Sequence, residues 1–451
     1  MEDKKTIMRV QDKSKRIHNF LEVELGYNEE EAKMEASRCL NCNNPRCVKG
    51  CPVGIMIPEF IKWVKEGDMK KAYDVISKSS SLPSVCGRVC PQEKQCEKMC
   101  IKGFKSDAIS IGALERYVAD YALEHHLNHN IKIKKNGKKV AIIGSGPAGL
   151  SCAGDLLKEG FDVTIYEVLH KPGGVLIYGI PEFRLPKKIV EEEVEKLKKM
   201  GANIFCDVPI GNAITLDSLR KEFDAIFIGT GAGLPKFMGI PKEDANEVFA
   251  ANEILTRINL MKSYLDYETP IKKGKIAYVI GGGNVAMDAV RSLRRLGMET
   301  HLMYRRSMEE LPARKMEVEH AIEEGVIFNL LANPTKILTD DDNHVLGMEV
   351  VDMELGDEDE SGRRSVKEKK GSLHTVKCDM IVMALGTSPN HEALKNTSIE
   401  LDDKGLIVVN DSLTSMNNVY AGGDIVTGAA TVILAMEAGR KAASKIIEKI
   451  K

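Results

Sequence analysis

Thirteen residues, Cys39 to Cys51, hold four thiols in the pattern C-x2-C-x4-C-x3-C. A second quartet, Cys86, Cys90, Cys96 and Cys100, follows as C-x3-C-x5-C-x3-C, so eight of the eleven cysteines lie in one stretch. In a reducing compartment such clusters read as metal ligands or catalytic thiols rather than disulfides. Structural zinc sites favour paired C-x2-4-C units, which the second quartet fits poorly. Cys51 and Cys90 each precede a proline, as cysteines of ferredoxin cluster loops do. Thiolate-held iron–sulfur clusters carry single electrons and zinc does not. The expectation is two [4Fe–4S] clusters, for which a simple count would use all eight cysteines. Cys152, Cys206 and Cys378 are scattered and read as small buried hydrophobes.

Two further patterns bind phosphate. "GSGPAG" places Gly144, Gly146 and Gly149, with Pro147 and Ala148 between the last two, directly after the strand pattern "VAII". The first glycine permits a tight turn, the second lets backbone approach a pyrophosphate, and the third lets helix pack on strand. The phosphate then lies on unpaired N–H groups at a helix N-terminus. Glu167 ends the next strand, 167 − 144 = 23 residues after the first glycine, where a carboxylate reaches a ribose. The pattern recurs in "GGGNVA", with Gly281, Gly283, Asn284, Val285 and Ala286. Its following strand ends in Tyr304, Arg305 and Arg306, with no acid. A carboxylate there would repel a 2′-phosphate, whereas two guanidiniums would hold it. The second site is therefore read as NADP(H), and the first as FAD, which can exchange hydride with a nicotinamide. The ending "AGGDIVTGAATVILAMEAG" supports FAD: Asp424, after Gly423, can reach ribityl hydroxyls, and the helix from Thr431 can aim its positive end at the ring.

Electrons need an exit. Neither nucleotide region holds a C-x-x-C or C-x4-C pair, so the N-terminal cysteines are the outlet. Hydride passes from NADPH to FAD, and single electrons then pass through the clusters to an acceptor.

The elements that must position these groups fall into three regions. Residues 1–130 show apolar residues at helical spacing, as in "IPEFIKWVKEGDMKKAYDVI". A basic linker, "NHNIKIKKNGKK", follows. From Lys138 onward strand, turn and helix alternate, and the two glycine units form an internal repeat about 140 residues apart. The expected division is 1–130 for the clusters, 138–270 with 389–451 for FAD, and 271–388 for NADP(H). The charged stretch "GDEDESGRRSVKEKK" reads as the solvated tip of a hairpin. A net charge of −2 gives no reason to expect nucleic acid or an anionic membrane as partner. The start lacks the apolar core of a secretion signal and no apolar run could span a bilayer, so a cytoplasmic protein is expected.

With both cysteine quartets, both glycine motifs and "AGGDIVTGA", the chain resembles the small subunit of NADPH-dependent glutamate synthase. The same module forms the N-terminal half of dihydropyrimidine dehydrogenase and the large subunit of the bifurcating NADH-dependent ferredoxin:NADP oxidoreductase. The resemblance implies an α/β fold: two Rossmann-like dinucleotide-binding domains of the disulfide-reductase type, preceded by an α-helical iron–sulfur domain. It implies interleaved ligands, Cys39, Cys42, Cys47 and Cys100 for one cluster, and Cys51, Cys90 and Cys96 for the other. The eighth ligand it implies is Glu115, in "AISIGALERY", where spacing alone would choose Cys86. It also implies that "KPGGVLIYGIPEFRLPK" lines the flavin, with Gly174 and Arg184 as contacts. That segment is closer to the shorter, homotetrameric type of glutamate synthase. The implied partner is a second redox subunit, resembling either the glutamate synthase large subunit or a flavin–ferredoxin subunit, or else ferredoxin itself. Sulfide dehydrogenase-like activity and a non-catalytic redox-sensing subunit are the other readings. The chain's N-terminus, Met1 then Glu2, lacks the cysteine nucleophile of the large subunit, so glutamine cleavage by this chain is not expected.

Overall fold

The computed structural model describes the chain except residues 1–3, 128–132, 213, 266, 268, 270, 272–273 and 359–362. Part of the expected linker and the tip of the charged hairpin lie outside the described residues.

Among the described residues, five helices of seven residues or more build the N-terminal region: α1 (Glu29–Ser37), α2 (Ile57–Glu66), α3 (Met69–Ser79), α4 (Pro83–Val89) and α5 (Ile111–Glu124). In α2 the apolar residues Ile57, Phe60, Ile61 and Val64 recur at helical spacing and are buried together. Gly67, at φ +82°, stops that helix in a left-handed turn. The side chain of Asp68 accepts from the Lys71 N–H at 3.0 Å and starts α3. Cys86 lies within α4, and the other seven clustered cysteines sit in the segments between these helices, pinned on a helical core. Helices α4 and α5 touch where Gly87 meets the Arg116 backbone, 2.7 Å from where a Cβ would stand.

The first glycine unit opens with β1 (Lys139–Ile143), α6 (Pro147–Lys158) and β2 (Asp162–Tyr166), and continues through α7 (Lys187–Lys199), β3 (Asn203–Phe205) and β4 (Ala225–Ile228). With β14 (Val419–Ala421) these strands form a parallel sheet in the order β14-β4-β1-β2-β3. Parallel strands covered on both faces read as unbroken apolar runs, which is why "VAII" carries no alternation. The final helix, α10 (Val432–Ile450), packs along α6. One core runs from Leu82, just before α4, and Val85 and Cys86 of α4 to Leu150 and Leu157 of α6 and Met436 of α10. The cluster region and the first sheet thus share an interior.

The second sheet has the order β8-β7-β6-β13-β5, all parallel: β5 (Val248–Ala250), β6 (Ile276–Ile280), β7 (Glu299–Tyr304), β8 (Ile327–Leu330) and β13 (Met380–Met383). Helix α8 (Asn284–Arg295) follows β6, and α9 (Lys315–Glu323) lies beside it. An antiparallel group, β9 (Ala332–Thr339), β10 (Val345–Glu358), β11 (Arg364–Glu368) and β12 (His374–Lys377), stands between β8 and β13. A boundary at residue 270 is therefore too late, because β5 pairs with β13 in the second sheet. Its run "VFAANEIL" is short and apolar, and periodicity cannot say which sheet such a run joins.

An N-terminal arm ties the three parts together. Phe20 stacks on Tyr264 with centroids 4.1 Å apart, and the Val23 N–H donates to the Phe183 carbonyl at 2.9 Å. Arg16, 1% exposed, reaches Glu324 at 2.9 Å and Glu323 at 2.7 Å.

Candidate functional site

At the first glycine turn Gly144 has φ +98°, and a Cβ there would press on the Gly229 carbonyl oxygen at 2.6 Å. A side chain on Gly149 would overlap the Gly144 carbonyl oxygen, whereas Gly146 faces open space. Pro147 occupies the first helical position, where its missing N–H costs nothing. The N–H groups of Ala148 and Gly149 are left at the N-terminus of α6, over the space beside Gly146. Glu167 is buried and accepts from the Ser145 N–H at 2.9 Å, from the Ser145 hydroxyl, and from the Leu169 N–H at 2.9 Å. Its carboxylate is thus aimed by the turn itself, and a carboxylate with about four acceptor sites still has capacity for a ribose. Gly174, at φ +54°, lies over the same turn, 3.0 Å from the Gly146 Cα to its would-be Cβ.

The C-terminal turn closes on this space. Gly423, at φ +79°, would bring a Cβ to 2.9 Å from that of Ala148. Asp424 accepts from the Ala430 N–H at 3.3 Å, and burial pushes its carboxyl up to about 6. Thr431 caps α10 by accepting from the Leu434 N–H at 3.4 Å. Gly174, Gly423 and Glu167 thus meet at the turn of Gly144, Gly146, Pro147, Ala148 and Gly149, with Asp424 following Gly423 and α10 packed along α6.

The Arg184 side chain is 7% exposed, with its guanidinium on Glu317 at 2.9 Å and on Asp288, both in the second unit. These ion pairs tie the segment expected to line the flavin to α8 and α9. Sequence alone could not show this, since the partners lie over 100 residues away.

At the second turn Gly281, at φ +139°, would overlap the Ala384 carbonyl oxygen with any side chain, and Gly283 again faces open space. Asn284 accepts from the Arg314 N–H at 2.9 Å, fixing the loop before α9. Val285 is exposed and Ala286 is fully buried, so the alanine in the third glycine's place lies in the core. Tyr304 ends β7, Arg305 is exposed and Arg306 is half-buried. The two arginines stand at the strand end where the first unit holds Glu167.

The thiols sort into two groups. Cys39, Cys42, Cys47 and Cys100 line one cavity open to the surface. Burial, and then the neighbouring Cys100 and Cys39, pushes the Cys47 thiol up to about 11. The second group is deeper. Burial, opposed by a bond from the Ile55 backbone and raised further by the Glu115 charge, pushes Cys51 up to about 11. A hydrogen bond with Cys86 and burial raise Cys90, and burial with the charges of Glu97 and Glu115 raises Cys96. Glu115 is buried, its Oε1 has no hydrogen-bond partner, and burial alone pushes it up to about 8. An orphaned carboxyl oxygen beside three thiols offers four donors, three soft and one hard, where such clusters commonly take four thiolates. Among the described residues no three such side chains converge on a single-ion site; the ligands of a cubane bind four separate irons. Cys86, fully buried, sits 3.4 Å from the Met436 sulfur in the core.

Residues 138–439 match the family described as pyridine nucleotide-disulphide oxidoreductase, and residues 16–127 the 4Fe-4S cluster domain II of dihydropyrimidine dehydrogenase. A glutamate synthase [NADPH] small chain from Escherichia coli is 38% identical over 440 residues, 95% of this chain and 93% of that one. The chain belongs to the glutamate synthase small-chain family. This family member also aligns, at 38% identity over 427 residues, with the beta subunit of an NADP(+)-dependent formate dehydrogenase from Moorella thermoacetica, 89% of this chain and 59% of that protein. Mycobacterium tuberculosis FprA in complex with NADPH shares the fold, with a TM-score of 0.58, 20% identity, and 69% of this chain matched to 84% of that one.

Several charged residues outside the motifs carry structure. Arg88 is buried and bridges Glu22 at 2.7 Å and Asp120 at 2.7 Å. Arg291 and Arg295 lie on the buried face of α8. Their i, i+4 spacing among apolar positions was the available signal.

Proposed function

We propose that this chain takes electrons from NADPH and delivers them one at a time to a partner subunit, as the small chain of a glutamate synthase. FAD at the first glycine turn, NADP(H) at the second and two [4Fe–4S] clusters would supply hydride exchange and single-electron transfer. The chain's own residues bind and orient these groups. Backbone N–H groups of Ala148 and Gly149 would meet one pyrophosphate, with Glu167 on the ribose, Asp424 on the ribityl chain and α10 facing the ring. Gly281, Gly283, Asn284, Val285 and Ala286 would form the other phosphate turn, with Arg305 and Arg306 on the 2′-phosphate. Cys39, Cys42, Cys47 and Cys100 would hold the outer cluster, and Cys51, Cys90, Cys96 and Glu115 the inner one. Domains assigned from these roles run from 1 to 130 for the clusters, then from 138 to about 247 with 389–451 for FAD, and from about 248 to 388 for NADP(H).

The observation that carries this reading is the orphaned Glu115 oxygen beside Cys51, Cys90 and Cys96, in a helical region sharing its core with the first nucleotide sheet. The outer thiols open to the surface beside exposed Leu40, Ile101 and Phe104, which suits transfer to a docked partner. We place the protein in the cytoplasm, where free thiols persist; among the described residues no helix is long and apolar enough to cross a membrane.

The test mixes the anaerobically purified chain with a glutamate synthase large subunit, glutamine, 2-oxoglutarate and NADPH. Glutamate formed in step with NADPH oxidation is the expected result. Ready NADPH oxidation by a dye without any glutamate would refute the partner and leave the oxidoreductase standing.

A further inference from the structure

Strand β10 runs to Glu358 and returns as β11 from Arg364, and this hairpin reaches the end of β7. The Arg306 Nε donates to the Arg364 carbonyl at 2.8 Å, while the Leu331 N–H donates to the Arg306 carbonyl at 3.1 Å. The Arg364 Nε in turn donates across the hairpin to the Gly356 carbonyl at 3.1 Å. At that point the arms are close enough that a side chain on Gly356 would overlap the Ser365 hydroxyl. The backbone is thus braced where it grips Arg306. Neither Arg305, Arg306 nor Arg364 has an ion pair among the described residues. Arginines gathered without a carboxylate repel one another until an anion joins them.

We infer that the β10–β11 hairpin is the specificity arm of the second nucleotide site: the Arg364 carbonyl holds Arg306 by its Nε and leaves both terminal nitrogens for a 2′-phosphate. The inference rests on the NADP(H) reading of that site. A guanidinium can be tethered by one nitrogen and still present a planar pair of donors, which a lysine ammonium cannot do. Holding the side chain before the ligand arrives removes part of the ordering cost of binding. The discrimination between phosphorylated and unphosphorylated ribose thus depends on an element about fifty residues from the strand-end motif.

The test uses full-length, flavin-loaded protein and calorimetric titration with 2′,5′-ADP and with 5′-AMP, alongside NADPH and NADH kinetics with ferricyanide. Three variants are compared: Arg306→Ala, Arg306→Lys, and a hairpin in which residues 357–363 are replaced by a two-residue Asn-Gly turn. The shortened hairpin and Arg306→Lys should each weaken 2′,5′-ADP, and raise the NADPH KM, by about five- to tenfold, as loss of one charge-assisted, pre-oriented donor set does. In the shortened hairpin, binding of 5′-AMP, the NADH KM and kcat should hold within about twofold, since a positioning element touches only the phosphate. If the shortened hairpin folds poorly, Arg306→Lys decides, because it leaves the hairpin whole. Parental 2′,5′-ADP affinity in both, with loss in Arg306→Ala, would overturn the inference and spare the NADP(H) reading. No loss in Arg306→Ala would overturn both.

Discussion

Glu324 is the carboxylate on which three buried arginines converge, and Glu324→Gln should cost the fold heavily. Its oxygens accept from Arg16 Nε at 2.9 Å, Arg291 at 3.0 and 2.8 Å, and Arg295 at 2.7 and 3.0 Å. Burial would raise this carboxyl, but the bonds from Arg295 and Arg291 hold it below the usual range. After the substitution Arg291 keeps Glu317, and Arg16 keeps Glu323, which is half exposed. Arg295 retains no acidic partner among the described residues, only the Arg291 carbonyl at 3.0 Å and the Phe183 ring 3.8 Å away. Stripping one partner from a buried ion pair costs about 3–5 kcal/mol. At about 2–4 °C per kcal/mol for a unit of this size, Tm should fall by roughly 6–20 °C. The assay is thermal unfolding of the holoprotein under anaerobic conditions, with Arg295→Leu and the double variant completing a cycle. The double variant should recover about 1.5 kcal/mol or more of the summed losses, because it buries no unpaired charge. The arm should also loosen, speeding tryptic cleavage of the backbone after Lys13 and Lys15, whose side chains are already exposed. A Glu324→Gln loss under about 1 kcal/mol with no coupling to Arg295 would refute the claim that this carboxylate organises the three charges.

Gly149→Ala should abolish flavin retention, read as the flavin-to-protein ratio after purification, because its Cβ overlaps the Gly144 carbonyl oxygen and forces α6 off the turn. Glu115→Ala should alter the EPR signal of one cluster, while Cys86→Ala, which empties a core position beside Met436, should leave both signals and lower stability by about 1–2 kcal/mol. His320 is pushed down to about 4, first by burial and then by Arg291. The unfolded chain therefore binds the extra proton between about pH 6.5 and 4, and stability falls as pH falls through that window. His320→Gln should flatten that slope by up to about 1.4 kcal/mol per pH unit in urea titrations; an unchanged slope would assign the acid sensitivity elsewhere.

Much of the arrangement could be read from the residues because it is local. A strand, a glycine turn and a helix lie within thirty residues, so the periodicity and the turn chemistry of "VAIIGSGPAG" specify each other. Cysteine spacing revealed the presence of clusters but not their pairing, since the interleaving depends on how the loops at 39–51 and 90–100 fold onto α5. The orphaned Glu115 oxygen is visible only once α5 is packed against α4. Arg184 shows the same limit from the other side: its local motif points to a flavin, while Asp288 and Glu317 claim it across more than 100 residues. The strand β5 went to the second sheet for a similar reason, as a three-residue apolar run carries no record of its partner.

An anaerobic NADPH titration followed by optical and EPR spectroscopy tests the central claim most directly. The account predicts bleaching of a bound flavin, then two distinguishable cluster signals, from protein containing about eight iron and eight sulfide per chain. Protein that lacks acid-labile sulfide, or whose flavin stays oxidised in excess NADPH, would contradict it.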